Sequence, residues 1–432
     1  MSLNIKKLID ESAMSKLQYA TIAVCFLMNI LDGVDVLVIS YCASAIAKSW
    51  SLSPEALGMI FSSGLAGMTI GALFLAPLAD KIGRKKMILL SAILMGTSIF
   101  LTAFTTSLTQ IIILRFLSGI GIGSMLASTA ALTAEFTPNT SKDFWVSFVI
   151  SGYPVGAVLS GFVAASVIPS SGWQTMFKLA GMASIITIPL IYFFMSESIS
   201  FYLNKQPKLA LEKANTILNK MQFPVLKELP EKQSKSAAIP VNKLVSKEYR
   251  RATFQLWTAL FFAFGCLYFL ISWIPKLAES TGLSMELAIY AGTVFNIGAF
   301  FGIVIQGYIS SKIGLKKTIA TFLVSTAVLM AIFQVFIGSD ALLFIFGLLG
   351  FCVQGGFVGL YAVAARMYPT EFRTTGVGWA IGAGRLGGVL GPALGGVLVG
   401  MGLSMSANFM IFAIPTLLAG LVAYFISSKA VS

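Results

Sequence analysis

Apolar stretches of roughly 20 residues, the length that crosses a bilayer as helix, recur along this chain from one end to the other. They lie near 17–41, 55–77, 87–106, 109–133, 145–168, 174–195, 252–274, 287–309, 318–338, 341–365, 374–400 and 405–427. Twelve such stretches predict an all-α polytopic membrane protein with twelve transmembrane helices. Inside hydrocarbon every backbone N–H and C=O must find its partner within the protein, so only helices and closed barrels span. The stretches are continuous rather than alternating, which excludes a barrel. Composition agrees: 57% of the 432 residues are hydrophobic, 11% are charged and mean hydropathy is +0.87, beyond soluble globular domains. The first stretch is longer than a signal-peptide core and lacks a small-residue cleavage site after it. It is expected to remain as the first span.

A formal net charge of +13 would point to nucleic acid in a soluble chain. Here its distribution matters more. Lys6, Lys7 and Lys16 precede the first span, Lys81, Arg84, Lys85 and Lys86 follow the second, and Lys312, Lys316 and Lys317 follow the eighth. The stretch 201–251 is also rich in lysine, whereas the opposite loops hold little beyond Lys48 and Lys276. This is the positive-inside asymmetry. It places both termini in the cytoplasm of a cell (inner) membrane, with the basic surface against anionic lipid and no nucleic-acid partner. Cys25, Cys42, Cys266 and Cys352 sit in apolar spans at no metal-like spacing, and the chain has no histidine. No metal or cofactor is expected, and proton chemistry falls to carboxyl groups.

Residues 196–250 interrupt the pattern with Pro207, Pro224, Pro230, Pro240, many lysines and one amphipathic segment, PKLALEKANTILNKM. They read as a cytoplasmic linker between two halves, 1–195 and 251–432. The halves are related. DKIGRKK at 80–86 returns as SKIGLKK at 311–317, an offset of 231 shared by Pro138 with Pro369 and Gly119 with Gly350. Gly152 and Gly156 match Gly384 and Gly388 at an offset of 232. Two six-helix repeats about an axis along the membrane normal are a transporter architecture, with the ligand between them near the midplane.

The duplication separates scaffold from chemistry. Asp32 and Asp35 correspond to Ala263 and Cys266, Arg115 to Phe346, and Arg385 to Tyr153. These four charges within spans therefore have no charged counterpart. Such groups are costly in a bilayer and mark ion or substrate pathways. Asp32 and Asp35, three residues apart, share a helix face. Asp32 is about 15 residues, roughly 22 Å, into the first span, and Arg115 about seven residues, roughly 10 Å, into the fourth from the other side. Both reach the outer half of the membrane. A permanent ion pair there would only fix packing; a carboxylate that trades Arg115 for a proton would couple transport to a proton gradient. Arg385 is about 11 residues, roughly 16 Å, into the eleventh span. Its partner is either one of the aspartates or the carboxylate of a substrate, which a guanidinium binds through two hydrogen bonds.

GALFLAPLADKIGRKK (71–86) resembles the loop motif between helices 2 and 3 of the major facilitator superfamily. Asp80, Lys81, Gly83, Arg84 and Lys85 match it, while Ala76 replaces the leading glycine. LRFLSGIGIG (114–123) resembles the superfamily's helix 4 motif through Arg115, Gly119 and Gly123. A closer resemblance, to the aromatic acid:proton symporters, is carried by LDGVDV, SES (196–198), SWIPKL and VQGGFVGLYAVAARMYPTEFRTTGVGWAIGAGRLGGVLGP (353–392), over nearly the whole chain outside 205–250. It implies import of benzoate-like, hydroxybenzoate-like or muconate-like acids with protons. It also implies a cavity lined by Tyr268, Phe269, Trp273 and Tyr361; Asn296 and Gln354, neutral polar groups in apolar surroundings, are candidate hydrogen-bonding groups for the ligand. Each of these also has a packing role open to it. Asp80 and Arg84, with Glu135 and Arg366 nearby, are implied to lock the halves at the cytoplasmic end. GGVLGPALGG (387–396) looks like the glycine-proline motif of drug:proton antiporters but lies in helix 11, where small residues serve close helix packing.

The expected function is proton-coupled symport of a small organic anion, an aromatic carboxylate, by a monomer. No nucleophile-base constellation or nucleotide loop points to an enzyme; GIGIGS (119–124) sits inside a helix. Two rivals stand beside this expectation: a proton-coupled exporter of drugs or metabolites, and a substrate receptor on a transporter fold.

Overall fold

The computed structural model describes residues 5–230, 243–368 and 373–426, and every regular element among them is helical. The central linker residues 231–242 lie outside this set. Among the described residues, ten continuous helices are long and apolar enough to cross a membrane. They include α1 (Lys16–Trp50), α2 (Pro54–Ile82), α3 (Arg84–Thr102), α4 (Leu108–Phe136) and a double-length run, Phe144–Phe194. After the linker come α7 (Arg250–Ser280), α8 (Met285–Ile313), α10 (Leu342–Met367), α11 (Thr375–Gly400) and α12 (Met405–Tyr424). The double-length run breaks at Gly172, whose φ of 79° is not helical, into α5 (144–171) and α6 (173–194). The loop expected between these two spans is thus a kink at one glycine. With α9 (Leu315–Ala331, 17 residues) the spans number twelve.

Serine sets where many of them begin. Ser15, Ser53, Ser107, Ser284 and Ser404 each accept a hydrogen bond from a backbone N–H three residues on. Each such cap is worth about 1 kcal/mol. Pro54 follows its cap at the first helical position, where its missing N–H costs nothing. α2 is not uniform: Gly71–Leu75 is π-helical and Ala76–Leu78 is 3-10. Irregular turns of this kind recur where helices carry function.

The repeat is visible in the backbone. Gly83 and Gly314, both followed by a basic residue or Leu-Lys, have φ of 104° and 92°, a conformation open to glycine and strained for other residues. Ser51 and Gly282, again 231 apart, also have positive φ, 50° and 97°. The relation recurs where equivalent residues meet. Ser40 Oγ donates to the carbonyl of Ile271, 231 residues on, at 2.8 Å. Lys48 Nζ lies 2.7 Å from Glu279 Oε1, again 231 residues apart. Positions related by a two-fold axis touch only beside that axis, so α1 and α7 flank it.

α1 to α6 pack on one another, as do α7 to α12, and the two bundles meet through α1 with α7, α2 with α11 and the Phe144–Phe194 run with α8. These meetings gather at one end. Ser62 Oγ donates to Val389 O at 2.7 Å, Phe61 packs edge-on to Trp273 at 5.3 Å, and a Cβ added to Gly396 would lie 2.7 Å from Pro54 O. At the opposite end, where α1 begins and α12 stops, no hydrogen bond or ion pair between the bundles is found among the described residues. The molecule is closed at one end and open at the other.

Candidate functional site

Arg115 and Asp35 form an ion pair deep in the first bundle, their side chains 4% and 0% exposed. Arg115 Nη1 donates to Asp35 Oδ1, and Nη2 to the backbone carbonyl of the same residue at 3.1 Å. α4 therefore grips α1 by side chain and backbone together. The fit relies on glycine: a Cβ on Gly119 would lie 2.1 Å from Gly64 O, so α2 and α4 approach backbone to backbone and carry Arg115 inward. GIGIGS is a packing surface. Arg115 also lines a cleft with Val36, Phe61, Met68, Tyr268 and Ser272.

Asp32 is as buried, 2% exposed, but is not paired. Its Oδ1 accepts no hydrogen bond from the described residues. It interacts electrostatically with Asp35 on its own helix and with Arg385 on α11. Arg385 forms no ion pair with a described residue, and its buried Nε has no partner. Among the described residues no aspartate forms an ion pair or hydrogen bond with Arg385; Asp32 interacts with it through space. Tyr268 on α7 interacts with both Arg385 and Asp32, Tyr361 on α10 with Arg385 and Tyr268, and Tyr153 on α5 with Asp32 and Tyr268. One carboxylate, one guanidinium and three phenols from five helices thus converge between the bundles.

Aromatic rings wall this cluster on the second bundle. Tyr268 stacks on Phe264 at 5.9 Å and 18°, Phe264 meets Phe357 edge-on at 4.7 Å, and Phe357 meets Tyr361 at 5.2 Å. Gly388, one turn after Arg385, would place a Cβ 3.0 Å from the Tyr268 ring, so α11 lies against α7 there. Gln354 is on α10 two turns before Tyr361, and its Oε1 is buried without a partner among the described residues. Phe264, Phe357 and Tyr153 were not among the expected lining residues. The first two lie one helical turn before Tyr268 and Tyr361, and Tyr153 is the repeat counterpart of Arg385, so each signal was present.

Two expected lining residues lie elsewhere. Trp273 is fully buried and donates from Nε1 to Pro392 O at 3.0 Å; with Phe61 against it, the ring belongs to the closed end. Phe269 stacks on Phe412 at 3.8 Å inside the second bundle. Asn296 donates from Nδ2 to Gly292 O at 2.8 Å and lies beside the Tyr41 hydroxyl, at the contact of α8 with the first bundle.

The family model described as the Major Facilitator Superfamily matches residues 25–306 and 256–431. The chain belongs to the major facilitator superfamily. This is a family of transporters, not of enzymes, and the chain is a multi-pass membrane protein. Among curated proteins it is similar to a 4-hydroxybenzoate transporter of Acinetobacter baylyi, 32% identical over 99% of this chain and 94% of that one. A gallate transporter of Pseudomonas putida is 29% identical over 97% and 94%, and a benzoate transport protein of A. baylyi 29% over 99% and 93%. Among solved structures, a D-xylose-proton symporter superposes with a TM-score of 0.75 over 95% of this chain and 98% of that one, at 17% identity. That likeness speaks to the fold.

The superfamily loop motif sits at the open end. Arg84 donates to Glu135 and to Ala131 O at 3.3 Å, and Glu135 also accepts from Ser198 Oγ. Glu197 Oε1 accepts from the backbone N–H of Lys85 at 3.1 Å and of Ser198 at 2.9 Å. Gly83 is doubly required: besides its φ, a Cβ there would lie 2.3 Å from Glu197 Oε2. Asp80 reaches Arg84 only at 3.9 Å, with its side chain 70% exposed. Arg366, grouped with these residues from the sequence, is exposed on α10 in the other bundle and joins no ion pair with a described residue. The network ties α2, α3, α4 and the segment after α6 within the first bundle.

Proposed function

We propose that this superfamily member imports a small aromatic carboxylate together with a proton by alternating access. The observation that carries the reading is Arg385: a guanidinium between the bundles, without an ion-pair partner among the described residues and beside a wall of aromatic rings. A planar anion answers both features, since its carboxylate takes the guanidinium by charge-assisted hydrogen bonds and its ring packs on Tyr268, Tyr361 and Phe264. The acids named for the related transporters have this chemistry. Gln354 offers an acceptor to a ring hydroxyl. The proton rides on the α1 carboxylates, with Arg115 as their cationic neighbour, in a chain without histidine. Trp273 and Asn296 serve the closed end and reach the ligand only if that end opens.

The lysines before α1, after α2 and after α8 support a cytoplasmic open end in a cell membrane, so the structure is read as inward-facing. Asp80, Arg84, Glu135 and Arg366 are read as gating groups that act when the open end closes. A single chain holds every group of the site, which supports a monomer as the working unit. Uptake of labelled 4-hydroxybenzoate, benzoate and muconate into proteoliposomes with an imposed pH gradient tests the reading. Accumulation of an aromatic acid against its gradient is expected. Efflux driven by the same gradient would identify an exporter, muconate alone a non-aromatic carrier, and binding without flux a receptor.

A further inference from the structure

A buried amide stands on the same helix face as the aromatic wall, and we infer that Gln354 makes the site selective for ring-hydroxylated acids over benzoate. It does so by accepting a hydrogen bond from a hydroxyl opposite the carboxylate. The inference rests on the proposed carboxylate site at Arg385 and names the acid that fits it.

The two faces of α10 are distinct. Gly355, Gly356 and Gly359 turn toward α9: an added Cβ would lie 2.3 Å from the Phe322 ring, 2.7 Å from Leu323 and 2.4 Å from Ile319. At about 3.6 residues per turn, Gln354, Phe357 and Tyr361 share the opposite face. Phe357 meets Phe264 of α7 at 4.7 Å, and Tyr361 interacts with Arg385 of α11. That face therefore looks onto the cluster between the bundles. Gln354 is 9% exposed, and its Oε1 is buried without a hydrogen bond from a described residue. A buried carbonyl oxygen without a donor is costly. Asn29 and Asn408 also have an unpartnered Oδ1, but the Nδ2 of each donates to a backbone carbonyl and fixes the amide there. Asp32 is another open acceptor. It interacts with Arg385 itself, which puts it at the carboxylate end of a bound acid.

Depth sets the order of the groups along the site. Arg385 lies about ten residues, roughly 15 Å, along α11 from Thr375 at the open end. Gln354 lies about 13 residues, roughly 20 Å, from Met367, where α10 reaches that end. Helical side chains lean toward the N-terminus of their helix. α11 begins at the open end and α10 at the closed end, so the lean carries the two side chains further apart. An acid held by Arg385 then points its ring toward the closed end. Tyr361 and Phe357 flank the ring, and the substituent opposite the carboxylate meets Gln354.

A hydroxyl there donates to Oε1 and leaves neither group unpaired. Benzoate puts a C–H against the same oxygen and, by filling the site, keeps water from it. Polar groups left unpaired in this way are how a site rejects an analogue that lacks a hydroxyl.

The test is calorimetry on purified protein in detergent with benzoate and its 4-hydroxy, 4-amino, 4-fluoro and 2-hydroxy derivatives, for wild type, Gln354→Leu and Gln354→Met. Wild type is expected to bind the 4-hydroxy and 4-amino acids, which present a donor, roughly 10- to 100-fold more tightly than the 4-fluoro acid and benzoate. The 2-hydroxy acid, its hydroxyl beside the carboxylate, should bind like benzoate. In both variants the preference for 4-hydroxybenzoate over benzoate should fall to within about threefold. A fluoro acid bound as tightly as the hydroxy acid overturns the inference, as does a 2-hydroxy acid that equals the 4-hydroxy one. A hydroxyl preference that survives in a variant assigns the hydroxyl to another acceptor and also overturns it. If neither variant folds, the wild-type series decides alone. A wild type that binds none of these acids overturns the proposed function, and the inference falls with it; one that binds and imports benzoate and 4-hydroxybenzoate alike overturns the inference only.

Discussion

Arg385 and Arg115 are both guanidiniums within spans, yet their surroundings assign them different work. Arg115 is bound by Asp35 through two of its nitrogens, whereas Arg385 has no ion pair among the described residues; the Nε of each is without a partner among them. Its repeat counterpart is Tyr153, so the scaffold does not need a cation at that position. Truncating one partner of a desolvated charge pair costs roughly 2–5 kcal/mol. Arg385→Ala should therefore weaken 4-hydroxybenzoate binding by at least about thirtyfold. Arg385→Lys keeps the charge but loses the planar fork and should fall between. Calorimetry on folded protein in detergent reads both, and an alanine variant that binds as tightly as wild type removes Arg385 from the site.

Among the helices, α2 and α11 decide whether the closed end can close. Gly58 and Gly396 bring their backbones together: a Cβ on Gly396 would lie 2.7 Å from Pro54 O and 3.1 Å from Gly58 Cα. On the same helix, Gly378 and Gly382 have nothing within 4 Å of an added Cβ. Gly396→Val should therefore hold that end apart. Impermeant thiol labelling of Phe61→Cys, in a background without the native cysteines, should rise with Gly396→Val and stay at its starting level with Gly378→Val. Equal labelling in the two variants would show that the glycine contact does not control closure. The contrast also separates two uses of glycine in α11, one at a moving interface and one where the helix surface is free.

For the molecule as a whole, two sets of charges bias the choice between open-in and open-out. Lys48 and Glu279 bridge the bundles beside the axis at 2.7 Å, with Lys48 64% exposed. A pair so exposed is worth about 0–1 kcal/mol, so Lys48→Glu should shift the population toward open-out by no more than several-fold. Adding Glu279→Lys should reverse the shift. Asp80 is exposed at the opposite end, free to engage the other bundle when that end closes. Asp80→Ala should then favour open-in, slowing transport while leaving binding near wild type. Distances between spin labels on the two bundles follow both effects, and a shift of the same sign from both variants would contradict this division of ends.

What the chain determines by itself is what depends on local pattern. Span length, positive-inside charge and an offset that recurs at separate places specify twelve helices in two halves, because each follows from residues close together or from duplication. Even the break at Gly172 and the turns at Gly83 and Gly314 fall where glycine alone is at ease. The repeat also singled out Asp32, Asp35, Arg115 and Arg385 before any coordinate was known. Which of them pair was not legible. Asp32 and Asp35 share a helix face, and three residues of spacing cannot tell which reaches Arg115 and which faces Arg385; the packing of α1 on α4 settles it. Trp273 and Tyr268 are likewise five residues apart on α7, yet one is sealed at the closed end and the other stands beside Arg385. That difference comes from where α2 and α11 pack on α7, with Phe61 and Pro392 at Trp273 and Gly388 at Tyr268, a property of packing between helices distant in sequence, and only the tertiary structure decides it.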